Sequence, residues 1–363
     1  MKTSRIVALF AAATLVLSPR TPWAQGAGAL PPVVLLHGYL DSPWRWNTAL
    51  GYLGGVQGFT HLVNPPLATQ TLSITQQATS VTGALSSTYA NALVAGHSMG
   101  GLVARELATQ WPTKVLMSVG SPHYGHPALN PFHTAGYWVT ITGMQTDLNV
   151  VWNNLFQCYL FGAPCYSVPD FAGFVNSVLS IAEAAKQTYF SGPAVDEIVP
   201  GSGFLNGFNG TTHQNAEVAV EKIAVVSQLN TWEFNSTLFR AVFGDLTPGQ
   251  AATAAALTSL TGAIVAGEGL QIAFDADFND PYYWDLVEGG LKVAAIGTTI
   301  AGINIWYNNL IGGWPNDGFV PHWTQSFPGA NVVNIVGPAH LEEPSDFGFL
   351  EQVSAAGNRN RTQ

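Results

Sequence analysis

Short apolar runs alternate with amphipathic stretches through the first third of the chain, and that alternation sets the expected fold. The run Val33-Val34-Leu35-Leu36, continued by His37-Gly38-Tyr39-Leu40, is unbroken in the way of a central strand covered on both faces. Residues 41–53 read as loop and helix, and residues 59–63 as a second strand stopped by Asn64-Pro65-Pro66. From 73 to 88 apolar residues recur at helical spacing, at Ile74, Ala78, Val81 and Leu85. A strand at 92–95, a helix at 102–111 ended by Pro112, and a strand at 114–119 follow. Strand alternating with helix implies an α/β fold: a mostly parallel, doubly wound sheet with right-handed crossovers.

Farther along, strand signals become sparse. The next is at 222–226 and the last at Asn331–Val336. Connections of that size are too long for plain loop and are expected to form helical caps. The expected organisation is a first core part at 30–126, a cap insertion at 127–220, a core strand at 221–227, a second, apolar lid insertion at 228–314, and a C-terminal core part at 315–363. The second insertion contains apolar segments at 251–274 and 293–311. Both are long enough to span a bilayer. Each is interrupted by Gly, Thr or Asn and lacks a basic cluster on a flank, so both read as buried or lipid-facing lid helices.

Composition narrows the partners. Charged residues are only 9% against 47% hydrophobic, so much of the surface is uncharged and some of it apolar, the usual mark of a binding surface. At the N-terminus, Lys2 and Arg5 precede an apolar run at 6–17, and small residues follow at Ala24, Ala27 and Ala29. This predicts a secretory signal peptide and linker over 1–29, cut after Ala24 or Ala29, with an N-terminal anchor as the alternative. Without Lys2, Arg5 and Arg20, 9 basic residues face 22 acidic ones, about −13. Such a balance argues against nucleic acid and against binding anionic membranes by charge. In an exported chain the closely spaced Cys158 and Cys165 are expected to close a disulfide rather than bind a metal.

The chemistry lies at Gly96-His97-Ser98-Met99-Gly100, between the strand and the helix at 102–111. A tight strand-to-helix turn holds a serine in a strained backbone conformation and presents its hydroxyl clear of the sheet. The first helix amides, Met99 foremost, then point at whatever the serine attacks. At the end of the first strand Gly38 lets the Tyr39 amide serve as second oxyanion donor, with the His37 ring structural. A base is expected after the last strand, which selects His340 over His322, and over His123 and His126 in the Gly120-Ser121-Pro122-His123-Tyr124-Gly125 loop. The orienting acid is assigned to Asp317, in Asn316-Asp317-Gly318, with Asp245 and Asp285 as rivals.

Together these segments resemble the extracellular bacterial lipases and esterases of the α/β-hydrolase superfamily, whose chain order is serine, acid, histidine. Pro200-Gly201-Ser202-Gly203-Phe204-Leu205 is similar to a segment shared by such lipases and related lipid acyltransferases and deacylases. The resemblance covers about 31–126 and 315–345 and leaves the second insertion unmatched. It implies a catalytic set of Ser98, Asp317 and His340, an oxyanion hole from the Tyr39 and Met99 amides, and no cofactor. No carboxylate set supports the structural calcium of some relatives. The expected function is a secreted serine carboxylic-ester hydrolase working through an acyl-enzyme on lipid or other apolar esters, including those at an oil–water interface, with no transmembrane anchor in the mature chain. Acyl transfer to an alcohol and polyester cleavage use the same residues and remain alternatives. An adhesion protein with a dead hydrolase fold is disfavoured by the intact set.

Overall fold

The computed structural model describes residues 28–129, 191–217, 219, 221–229, 311–313 and 315–361. The expected signal peptide, Cys158 and Cys165, Asp245, Asp285, both long apolar segments and most of each insertion lie outside the described residues. Among the described residues no helix is long and apolar enough to cross a membrane.

Six strands form one sheet: β1 (Val33–Leu36), β2 (Leu62–Val63), β3 (Ala92–His97), β4 (Thr113–Val119), β5 (Glu221–Gln228) and β6 (Asn331–Val336). Their order is β2-β1-β3-β4-β5-β6, and every pairing is parallel. This is the parallel, doubly wound sheet that the alternation predicts. Parallel strands all finish on the same edge, so the loops after β1, β3, β4, β5 and β6 meet there.

The sheet divides the core by strand parity. Val34, Leu36, Val94, Leu116, Ala224 and Val226 face one side and pack under α2 (Ile74–Ala84) and α3 (Met99–Gln110). Val33, Leu35, Leu93, Ala95, Met117 and Val225 face the other side. There they meet Trp46, Ala49 of α1 (Asn47–Leu50), Leu53 and the apolar stripe Phe349, Leu350, Val353, Ala356 of a C-terminal helix, Phe347–Arg359. Burying each large apolar side chain contributes about 1.5–3 kcal/mol, so the two layers hold the sheet edge rigid. Both faces are covered, which is why these strands are continuously apolar rather than alternating.

Two expectations shift in detail. β2 is two residues long instead of running from 59 to 63. Phe59 leaves the sheet direction after Gly58, and its ring packs against Gly357 of the C-terminal helix, where any Cβ would collide with it. Helix packing buries the aromatic ring in place of strand pairing. Likewise, α2 starts on a capping box between Ser73 and Gln76 but ends at Ala84, because Leu85 is already extended and Ser87–Tyr89 turns as 3₁₀.

The part of the first insertion nearest β5 is helical: α4 (Pro193–Glu197), α5 (Gly203–Phe208) and α6 (Thr211–Ala216). It is tied closely to the core. Glu197 Oε2 accepts from the Ile74 amide at 2.7 Å, adding a charged acceptor to the α2 N-terminus. Arg105 of α3 is fully buried and gives Nε to Glu217 at 2.7 Å, one terminal nitrogen to Asn209 Oδ1 at 2.8 Å and the other to Phe208 O at 3.0 Å. Asn209 in turn donates to His123 O at 2.7 Å.

Candidate active site

Ser98 occupies the turn between β3 and α3 at φ 55°, ψ −131°, a conformation rarely adopted outside glycine. Its neighbours make that turn possible. A Cβ at Gly96 would overlap the Gly100 carbonyl, and one at Gly100 would overlap the Leu36 carbonyl. Both glycines are therefore required by close backbone approach. Ser98 N–H bonds to Val119 O at 2.9 Å, which pins the elbow to β4.

The loop after β1 lies directly against the serine. A Cβ on Gly38 would stand 2.8 Å from Ser98 Cβ and 3.3 Å from its Oγ, so only glycine lets the chain pass there. Tyr39 follows, and its hydroxyl donates to Ser191 O at 2.7 Å. Leu40 then takes a left-handed φ of 54°, with its N–H on Thr69 Oγ1 at 3.2 Å. Met99 is the first residue of α3, where backbone N–H groups have no partner within the helix. The segments expected to supply the two oxyanion donors thus approach the serine from the end of β1 and from the start of α3. The His37 ring is structural: Nδ1 donates to Gly38 O at 3.0 Å and Nε2 accepts from the Leu67 amide at 3.0 Å. Burial pushes this imidazole below its usual range, which keeps it uncharged.

Asp317 and His340 come together from loops on the same edge. His340 Nδ1 lies 2.8 Å from Asp317 Oδ2, and His340 N–H bonds to Asp317 O at 2.9 Å. Asp317 is fully buried and its carboxylate is held on every side. Oδ1 accepts from the Phe319 and Val320 amides at 2.8 and 2.6 Å, and Oδ2 accepts from Gln325 Nε2 at 3.2 Å as well as from His340. The turn-forming carboxylate and the partner of the imidazole are one group. With Nδ1 donating to Asp317, Nε2 is left as the proton acceptor.

His340 also packs on the elbow. Its ring centroid is 4.7 Å from that of His97, the residue before Ser98, and His97 Nε2 donates to His340 O at 2.7 Å. Burial together with the facing His340 keeps His97 well below its usual range and hence neutral, so it acts as a plain hydrogen-bond donor. Arg45 joins the other loop, bonding Asp41 at 2.6 Å and Leu341 O at 3.1 Å.

The competing histidines lie apart from this arrangement. His322 bonds Asn334 Oδ1 at 3.0 Å on the surface. His123 is buried on Ser118 Oγ at 2.9 Å, and His126 on Phe319 O at 2.8 Å, where burial lowers its imidazole to about 4. Both brace loops around the site.

Sequence reasoning missed Glu343. It is fully buried, with Oε2 3.5 Å from His340 Nδ1 and 3.3 Å from His97 Nε2. His97, His340 and Glu343 form the group among the described residues that could hold a metal ion. Both imidazole nitrogens that face Glu343 are committed, one to His340 O and one to Asp317, and so are taken up by hydrogen bonds within the protein. Its only sequence signal is the three-residue step from His340 to Glu343, the same step that any helical turn provides.

No protein-family model and no curated protein matches the chain. Among solved structures it is similar to the mature form of a Bacillus licheniformis lipase, BlEst2, at 12% identity over 93% of this chain and 96% of that one, with a TM-score of 0.46. A Listeria innocua gene product shows 12% identity over 92% and 96%, with a TM-score of 0.38. An extracellular α/β-hydrolase of a Paenibacillus species shows 16% over 54% and 76%, with a TM-score of 0.30. At such values the chemistry of this chain rests on its own residues.

Proposed function

We propose that this chain is an exported serine ester hydrolase that cleaves apolar acyl esters through an acyl-enzyme. The observation that carries the reading is the buried 2.8 Å contact between His340 Nδ1 and Asp317 Oδ2, packed on the strained turn that presents Ser98. In this mechanism His340 Nε2 takes the Ser98 hydroxyl proton as Oγ attacks the ester carbonyl. The Tyr39 and Met99 amides hold the oxyanion. The imidazolium, stabilised by Asp317, returns the proton to the departing alcohol, and water then releases the acyl group by the same route.

The rim of the site supports an apolar acyl group over a small polar one. Leu40, Tyr124, Trp323 and Leu341 are all exposed on loops at the finishing edge of the strands, Trp323 at 54% and Leu341 at 59%. Export is supported by the basic-then-apolar N-terminus.

Labelling with a fluorophosphonate probe, combined with a chain-length series of p-nitrophenyl esters, tests the reading. Wild type is expected to label at Ser98 and to prefer medium or long acyl chains. Ser98→Ala is expected to lose labelling and roughly 10⁴-fold or more in kcat while keeping its fold. A fully active Ser98→Ala variant sinks the mechanism. Adding an alcohol acceptor shows whether the acyl group goes to water or is transferred.

A further inference from the structure

Glu343 has no part in the reaction above, and its surroundings are unusual for a carboxyl group. It opens a 3₁₀ turn, Glu343–Ser345, is fully buried, and neither side-chain oxygen receives a conventional hydrogen bond. Around it stand Asp317 from the loop after β5, His340 and Asp346 from its own stretch, His97 from the elbow, and the Ser227 hydroxyl from β5. The backbone of Gly120, at φ 57°, closes the last side so tightly that any Cβ would overlap the carboxyl.

Neither imidazole donates a hydrogen bond to it. His97 Nε2 spends its proton on His340 O at 2.7 Å, and His340 Nδ1 spends its own on Asp317 at 2.8 Å. Ser227 Oγ donates to Pro338 O at 3.2 Å. His340 Nδ1, 2.8 Å from Asp317 Oδ2 and 3.5 Å from Glu343 Oε2, brings the two buried carboxyl groups side by side. Two negative charges side by side in a dry site repel strongly, whereas a single proton lets one carboxyl donate a hydrogen bond to the other. Asp317 already accepts from Phe319, Val320, Gln325 and His340, so both its oxygens are committed as acceptors. The proton therefore belongs on Glu343.

We propose that Glu343 is held as an uncharged carboxylic acid that donates a hydrogen bond to the Asp317 carboxylate, and is thereby a positioning residue for Asp317 and His340. Burial, with the Asp317 charge beside it, pushes this carboxyl well above the usual carboxylate range, in keeping with the geometry. The catalytic consequence rests on the hydrolase reading above; the protonation state does not.

Difference infrared spectroscopy of resting wild-type protein against Glu343→Gln at neutral pH reads the proton directly. The expected result is a protonated-carboxyl stretch in wild type that shifts in D2O and is missing from the variant. Activity supplies the second readout. Gln offers an amide N–H in place of the acid O–H, so Glu343→Gln is expected to keep kcat within about threefold of wild type. Glu343→Leu has no donor and is expected to lose roughly tenfold or more in kcat with KM little changed. Absence of the infrared band, or a Gln variant as impaired as the Leu variant, overturns the proposal. Wild type that shows the band but cleaves no ester would defeat the hydrolase reading and leave the proton assignment standing.

Discussion

Ser98 sits in left-handed backbone because the chain must reverse from β3 into α3 within a few residues, with Gly96 and Gly100 closing on one another and on β1. Gly100→Ala places a methyl group on the Leu36 carbonyl, so it is expected to cost about 1–3 kcal/mol and to abolish fluorophosphonate labelling, checked by urea denaturation and by gel. Asp317→Asn separates folding from chemistry. Asn keeps Oδ1 for the Phe319 and Val320 amides, but its NH₂ faces His340 Nδ1 and favours the wrong tautomer. The expected outcome is an unchanged circular dichroism spectrum with kcat down roughly 10⁴-fold. At this scale the strained turn at Ser98, its glycines and the pairing of Asp317 with His340 were legible, because tight turns restrict residue type locally. Glu343 was not legible: next to Glu342 it looks like one of two ordinary surface acids, and only packing separates a buried carboxyl from an exposed one.

The elements that position these residues hold together through a few buried polar ties as well as apolar packing. Arg105 is one of these, joining α3 to Glu217, Asn209 and Phe208 O, with the Phe208 ring 4.1 Å beneath its guanidinium. Arg105→Met is expected to cost about 3 kcal/mol, since the buried Glu217 keeps Lys222 at 2.7 Å but loses its fully buried cation, also at 2.7 Å. Denaturant unfolding measures the loss, and the 191–217 segment should become the first site of limited proteolysis. Most strands and α2 and α3 could be read from hydrophobic period alone, since burial on both sheet faces leaves an uninterrupted apolar run. The C-terminal helix carried no comparable signal. Its stripe of Phe349, Leu350, Val353 and Ala356 acquires meaning only against the face made by Leu35, Ala95 and Met117.

Across the whole molecule, buried neutral imidazoles make acid the weak side. Burial lowers His37, His97, His123 and His126, the last to about 4. An unfolded chain binds these protons near pH 6.5 and the folded one does not, so stability is full above that range and falls as pH drops toward 4. His126 alone contributes roughly 3 kcal/mol to this loss. Thermal melts are expected to show Tm falling steeply between pH 6.5 and 4.5, and His126→Gln is expected to flatten that slope.

The sequence by itself determined the parallel sheet, the strand-to-helix turn at Ser98 and the loops that carry Asp317 and His340, because period, turn chemistry and chain order are local or one-dimensional properties. Tertiary structure decided which of the neighbouring acids, Glu342 or Glu343, is buried beside His340. It also decided how Arg105 binds a distant segment to the elbow helix. Those outcomes depend on loops from five strand ends converging on one edge, and on the desolvation of whatever side chains they enclose there. Neither quantity is carried by any single stretch of the chain.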